Sequence, residues 1–384
     1  MQLVLRVGAV MAAVIMVSAC EDPQPPVPAP VSTTTTTATP TTTVRNDEQR
    51  LHAGKLAEGA RMAEVLTLPT DIDPAFVRAG QTGVLTEPML TIMTDHNNAL
   101  GAAATEHGML TGFVSQRSNG ASMRGDISWL THGILRFPDT EAAQAAATAL
   151  ATTATTQSGM LQSGVWAATG LPDEPDARVL TMDNRGKLEG MAFTPHAEFV
   201  VFTKIRAGGG LPEIERTVRA ALALQRPALD SFTATPVADL PDLPYDPTGI
   251  HALAVGDGSA SSGSFGPHGA LLFADDQQAA VTLYREVGVS ALGRKDSAVY
   301  RTADAAAAAK LSAVTAAQIG GQTDWKQAPA PASVPGSACW TDADASRWSC
   351  TVSSGPYFAL VWAKSQDEAH TLTGQQHTAL AAAK

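Results

Sequence analysis

Two stretches of this chain carry the same pattern of apolar and polar positions. Residues 191–207 (MAFTPHAEFVVFTKIRA) and 349–365 (SCTVSSGPYFALVWAKS) each place two apolar runs either side of a short polar break. Runs of this length, rich in β-branched and aromatic residues, predict a pair of adjacent strands. Each pair is followed by sequence of helical period. In the first, Ile214, Val218, Ala221, Leu222 and Leu224 fall on one stripe, and Pro212 lies near the helix start, where its fixed φ fits. In the second, Ser365 and Glu368 stand in capping-box spacing.

A further match lies upstream of each pair. HGILRFPDTEAAQAA begins at His132 and HGALLFADDQQAAVT at His268, and His, Gly, Leu, Phe and Asp recur in step. Each stretch predicts a strand and then a helix, with Asp139 and Asp275 as N-caps. Leu135 with Phe137, and Leu271 with Phe273, then share a buried strand face, and His132 and His268 become equivalent. An Ala-rich helix over about 302–318, stopped by Gly320 and Gly321, reads as an insertion in the second half. Residues 47–66 predict an amphipathic helix, followed by loop-rich chain to about 126. The expected fold class is α+β, with two tandem repeats, each an antiparallel sheet with helices packed on one face. The repeats are placed at 46–228, with a front extension, and 249–384, joined by a proline-rich connector at 229–248.

The N-terminal pattern differs. Arg6 precedes an apolar run over residues 7–17, and the small residues Ser18 and Ala19 precede Cys20. This is the order of a secretory signal, over residues 1–19. The run falls short of the roughly 20 apolar residues that span a bilayer. Residues 17–20 (VSAC) resemble a bacterial lipobox, which implies cleavage before Cys20 and a diacylglycerol on its thiol. Residues 20–45 are rich in Pro and Thr and hold almost nothing that could build a core. They read as a lipidated cysteine and stalk, so the expected address is the extracytoplasmic face of the cell membrane.

Cysteine usage agrees with export. The chain has three cysteines, and lipidation of Cys20 leaves an even pair. Cys339 and Cys350 flank a predicted hairpin with its reversal near Asp344. Two short strands meeting there bring the two cysteines opposite each other, at a separation a disulfide can bridge. The composition, 44% hydrophobic and 16% charged with net charge −11, is that of a globular protein. The acidic balance excludes nucleic acid as the expected partner and argues against electrostatic docking on anionic lipid.

The chain resembles the two-repeat lipoproteins of mycobacteria and related actinobacteria. The residues that carry the resemblance are the lipobox at 17–20, RMAEVLTLPTDIDP at 61–74, HGILRFPD at 132–139, LPDLPYDPTG at 240–249, and the Cys339–Cys350 hairpin with its closing helix. The resemblance brings no catalytic residues with it.

Local chemical motifs are sparse. DADAS at 342–346 starts like a calcium loop, but Arg347 stands where glycine is needed and Ser353 where glutamate is. The glycine-rich stretch 255–269 lacks the lysine of a phosphate loop. No GxSxG elbow or SxxK pair occurs, and Asp95, His96, Glu106 and His107 lack metal-site spacing, so neither a metal nor a cofactor is expected. His132 and His268 remain as candidate binding residues. The expected function is a non-enzymatic envelope protein that binds an apolar small molecule, a wall component or another envelope protein. The alternative is a hydrolase whose site assembles from distant residues such as His132, His268 and Glu198.

Overall fold

Sheet pairing builds two copies of one topology. The structure is a computed structural model, and it describes residues 41–120, 127–259 and 261–383. Cys20 and the signal segment lie outside the described residues. The first copy runs α1 (Thr41–Met62), α2 (Pro69–Ile72), β1 (Arg78–Val84), α3 (Glu87–Met93), α4 (Asn98–Glu106), β2 (Thr111–Ser118), β3 (Trp129–Arg136) and α5 (Thr140–Thr156), then β4 (Ala167–Ala168), β5 (Arg178–Asp183), β6 (Leu188–His196), β7 (Phe199–Arg206) and α6 (Leu211–Asp230). A 3₁₀ turn at Val237–Asp242 lies in the connector. The second copy runs α7 (Ile250–Leu253), β8 (Gly263–Phe265), α8 (Pro267–Leu272), α9 (Gln277–Glu286), β9 (Ala291–Arg294), β10 (Ser297–Arg301) and α10 (Ala305–Gly320), then β11 (Trp325–Ala328), β12 (Ala338–Asp342), β13 (Trp348–Ser354), β14 (Tyr357–Ala363) and α11 (Gln366–Ala382).

One seven-stranded sheet has the order β1-β2-β3-β7-β6-β5-β4, and the other, read from its far end, β8-β9-β10-β14-β13-β12-β11. All pairings are antiparallel. The α+β class and the tandem repeat are therefore as expected, but the detail of one covered face is corrected. Along β7, Phe199, Val201 and Ile205 join the core that contains Ile214 and Val218 of α6, whereas Val200 and Phe202 join the core that contains Ala146 and Leu150 of α5. Both faces of the first sheet carry helices. The unbroken apolar run of FVVFTKIR is the signature of a strand buried on both sides. Gly190 of β6 lets α6 come close, because a Cβ there would meet Ile214 Cγ2 at 2.3 Å.

The register of the repeat also differs from the His-Gly match. His132 lies in β3, whereas His268 lies in helix α8, which opens at Pro267. Asp276, not Asp275, caps α9. The true partners are Asp139 and Asp304, which cap α5 and α10 through the N–H groups of Ala142 and Ala307. The Ala-rich helix is thus the second copy of α5 and not an insertion. Just before these caps, Phe137 N–H donates to Glu198 O and Thr302 N–H to Pro356 O. The same register sets His132 against Ser297. In each copy a helix glutamine holds the strand residue: His132 Nε2 meets Gln225 Oε1 at 2.9 Å, and Ser297 Oγ meets Gln376 Oε1 at 2.6 Å. The other end of each glutamine donates to a main-chain carbonyl, of Val65 and of Leu253. The segment expected to be loop-rich holds α3, α4 and two strands. Its short amphipathic elements gave too few repeats of any period to be read.

Cys339 faces Cys350 across β12 and β13, and the two form a disulfide. Closing so short a loop stabilises by roughly 2–3 kcal/mol in the chain-entropy view. Replacing both cysteines by serine should lower unfolding stability by that amount, and peptide mapping of non-reduced protein should show the cross-link. Two free thiols in alkylated native protein would contradict the pairing.

The contact between the repeats is filled. Phe113 of β2 packs edge-on against Phe265 and Phe273 of the second repeat, with ring centroids 5.8 and 6.1 Å apart. Glu64 accepts the N–H groups of His268 and Gly269, and Arg117 reaches across to the carbonyls of Ala274 and Asp275. One apolar core runs through both repeats. Side chains fill the contact between the halves.

Candidate functional site

Once the repeats are in register, one stands out as altered. In the first repeat Ala104, Val114, Leu135 and Leu150 are fully buried in one core, on the face of the sheet that α5 covers. Each has an identifiable counterpart. Met109 N–H bonds Ala104 O as Val289 N–H bonds Tyr284 O. Val114 pairs with Gly133 on β3 as Arg294 pairs with Ala298 on β10. Leu135 pairs with Val200 as Tyr300 pairs with Phe358. Leu150 follows its capping aspartate on α5 at the same spacing as Thr315 on α10. Four apolar core positions have become Tyr284, Arg294, Tyr300 and Thr315, and all four line one cavity of about 120 Å³.

The cavity is built between the second sheet and helices α9 and α10. Arg294 extends from β9 with its guanidinium carbon 4.4 Å from the Phe273 ring centre and 4.9 Å from that of Trp362. The two aromatic faces hold the cation between them. Its Nε is buried and unpaired, and among the described residues the guanidinium makes no ion pair. Burial depresses its pKa, partly offset by Tyr300 and Tyr284 and then Asp275. Tyr284 and Tyr300 have ring centres 5.6 Å apart. Burial raises the pKa of both, so both stay protonated. The apolar wall is formed by Leu311, Phe358 and Leu360, and the exposed Asp275 and Asp276 sit at the rim. Alternation in the strands supplies this arrangement: Tyr300, Phe358, Leu360 and Trp362 share one face of the sheet.

The residues singled out from sequence lie elsewhere. His132 is fully buried, with Thr203 Oγ1 3.3 Å from Nδ1 and Gln225 Oε1 at Nε2. A hydroxyl, an imidazole and an orienting amide do follow one another here, but both Thr203 and His132 are closed off from solvent. His268 Nε2 contacts Leu66 O. His268 therefore anchors the segment after α1 directly, and His132 does so only through Gln225, which bonds Val65 and Thr67. Glu198 contributes its carbonyl to Phe137. Among the described residues no serine or cysteine is hydrogen-bonded to a histidine, and no cluster of three or more His, Cys, Asp or Glu is placed to hold a metal. The carboxylate of Asp342, first residue of the calcium-like stretch, instead accepts from Ser346 and Arg347 and closes the hairpin tip. The cavity residues were missed because Arg294, Tyr284 and Tyr300 form no local motif. The available signal was a comparison of the two repeats in their correct register.

Burial of His132 has a measurable consequence. Desolvation pushes its pKa down to about 4, against a small opposing effect of the Gln225 hydrogen bond. Unfolded, the ring takes up a proton below about pH 6.5. Between these values the unfolded chain holds the extra proton, so stability falls as pH drops from 6.5 to 4, by about 3 kcal/mol for this group at most. The variant His132→Gln should lose that part of the slope in denaturation measured across the window. An unchanged slope would contradict the assignment.

Comparison with known proteins adds the following. The model of the N-terminal domain of unknown function DUF7373 matches residues 45–245, and that of the DUF7373 C-terminal domain matches residues 248–383. The crystal structure of the extracellular domain of PknH from Mycobacterium tuberculosis is similar at 10% identity and a TM-score of 0.33, covering 45% of this chain and 97% of that one. No curated protein matches the sequence.

Proposed function

The chain belongs to the DUF7373 family, and we propose that it is a non-enzymatic binding protein whose ligand site is the cavity of the second repeat. One observation carries this reading: four positions that are packed core in the first repeat are polar or cationic in the second, around a space that is open. Desolvating Arg294 and leaving its Nε unpaired costs stability. Departures of this kind from the local rules of packing concentrate at functional positions.

The location proposed for this activity is the outer face of the cell membrane, with Cys20 lipidated and the stalk as spacer. The VSAC sequence and a disulfide in the folded part support it, since disulfides persist in oxidising compartments. Among the described residues no helix is long and apolar enough to cross a membrane. Cys20→Ala should move the protein from the detergent to the aqueous phase in a partition assay, and equal retention would refute the anchor. For the site itself, a library of small fragments is screened by ligand-observed NMR against the wild type and Thr315→Trp, which fills the cavity. Fragments that bind the wild type should lose their signal with the filled variant. Binding that is indifferent to the filling would place the site elsewhere.

A further inference from the structure

We propose that the cavity takes a small monocarboxylate with a compact apolar body, its carboxylate seated on Arg294 and its body against Leu311, Phe358 and Leu360. The inference rests on the binding reading above and specifies its ligand chemistry.

Arg294, the Tyr284 and Tyr300 hydroxyls and Thr315 are the polar groups among the buried and half-buried lining residues, and Gln318 and the two aspartates of the lining are exposed. Arg294 offers a planar fork with no ion-pair partner among the described residues, and a carboxylate fits such a fork with two parallel hydrogen bonds. Phe273 and Trp362 fix the plane of that fork before any ligand arrives. The Tyr284 and Tyr300 hydroxyls, both kept protonated by burial, also line the space, as do Thr315 and Gln318. Asp275 and Asp276 are the opposing charges. Both are exposed; Asp275 has its carbonyl held by Arg117, and the Asp276 carboxylate accepts the N–H of Ala279 as the cap of α9. A cation offered to the inner cavity would meet Arg294 and two hydroxyls. A dianion would pair with Arg294 but meet the charges of Asp275 and Asp276.

Size narrows the class further. A cavity of about 120 Å³ is slightly smaller than the roughly 150 Å³ apolar cavity known to admit benzene. A short branched chain fits, as does a single small ring that reaches into the open mouth of the cavity, and a long acyl chain does not. The walls opposite the arginine are apolar, so the body has no polar partner there.

The test is isothermal titration of the folded protein with benzoate, benzamide, benzylamine, phenyl phosphate and dodecanoate. Benzoate should bind at least about tenfold more tightly than benzamide, benzylamine or phenyl phosphate, given the usual strength of hydrogen bonds to charged groups, and dodecanoate should not bind. Arg294→Met should weaken benzoate at least tenfold. Arg294→Lys should retain part of the affinity, because the charge stays while the fork is lost. Tyr300→Phe, which removes one hydroxyl and little volume, should weaken it a few-fold and provides a readout independent of any folding defect at Arg294. Equal or tighter binding of benzamide or benzylamine would overturn the carboxylate class while leaving the binding site in place. Failure of every compound, together with no effect of Thr315→Trp on any fragment, would remove the site itself.

Discussion

Arg117→Met should destabilise the protein by about 2–4 kcal/mol, since it orphans one buried and two part-buried carbonyl contacts, an unsatisfied buried acceptor costing roughly 1–3 kcal/mol. Arg117 is 1% exposed on β2. Its guanidinium donates to Val77 O at 2.8 Å, Asp275 O at 2.9 Å and Ala274 O. The first acceptor belongs to its own repeat and the other two follow α8, so one side chain fastens the halves together. Methionine keeps most of the volume and provides no donor. Because a single apolar core crosses the junction, the wild type should unfold in one transition in guanidinium. The variant should show a lower midpoint and a broadened or split transition. A loss below about 1 kcal/mol would mean that water replaces the arginine easily.

Glu58→Gln should have an effect of similar size, about 3–5 kcal/mol, because it leaves a buried cation without its partner. Glu58 is fully buried on α1. Its carboxylate receives Arg136 from β3, Arg61 from its own helix, and the N–H and hydroxyl of Thr235. Arg136 also donates to Thr235 O. The proline-rich connector is thereby tied to the front helix and to the middle of the first sheet. Hydrogen exchange around residues 233–240 should rise in the variant together with the fall in stability. Unchanged exchange there would show that the connector is held by packing at Leu240 alone.

Much of the architecture could be read from the residues. The β6–β7 and β13–β14 hairpins were legible because each is a long apolar run with a turn, and the caps at Asp139 and Ser365 sit where their spacing places them. The disulfide followed from hairpin symmetry, and the observed register pairs Cys339 with Cys350. The repeat was legible as a fact but not in its alignment. The HG match at His132 and His268 set a strand against a helix, because a six-residue amphipathic segment such as PHGALL fits either period. The covering of both sheet faces was implicit in FVVFTKIR and in the stripes of α5 and α6, but only the pairing of β7 between β3 and β6 makes it explicit. The candidate site was the least legible part. Arg294, Tyr284, Tyr300 and Trp362 are distant in sequence and converge only through strand order.

The account stands on the claim that Arg294 is kept for a ligand and not for packing. Its most direct test is the unfolding free energy of Arg294→Met in the absence of ligand. Methionine preserves volume and sulfur–aromatic contact with Phe273 and Trp362, while the unpaired, desolvated cation is removed. The account predicts a gain of about 1 kcal/mol in stability, as expected when a polar group retained for function is replaced by an apolar one. A loss of 1 kcal/mol or more would show that the arginine holds the repeat together, and would contradict the claim that this cavity is a binding site.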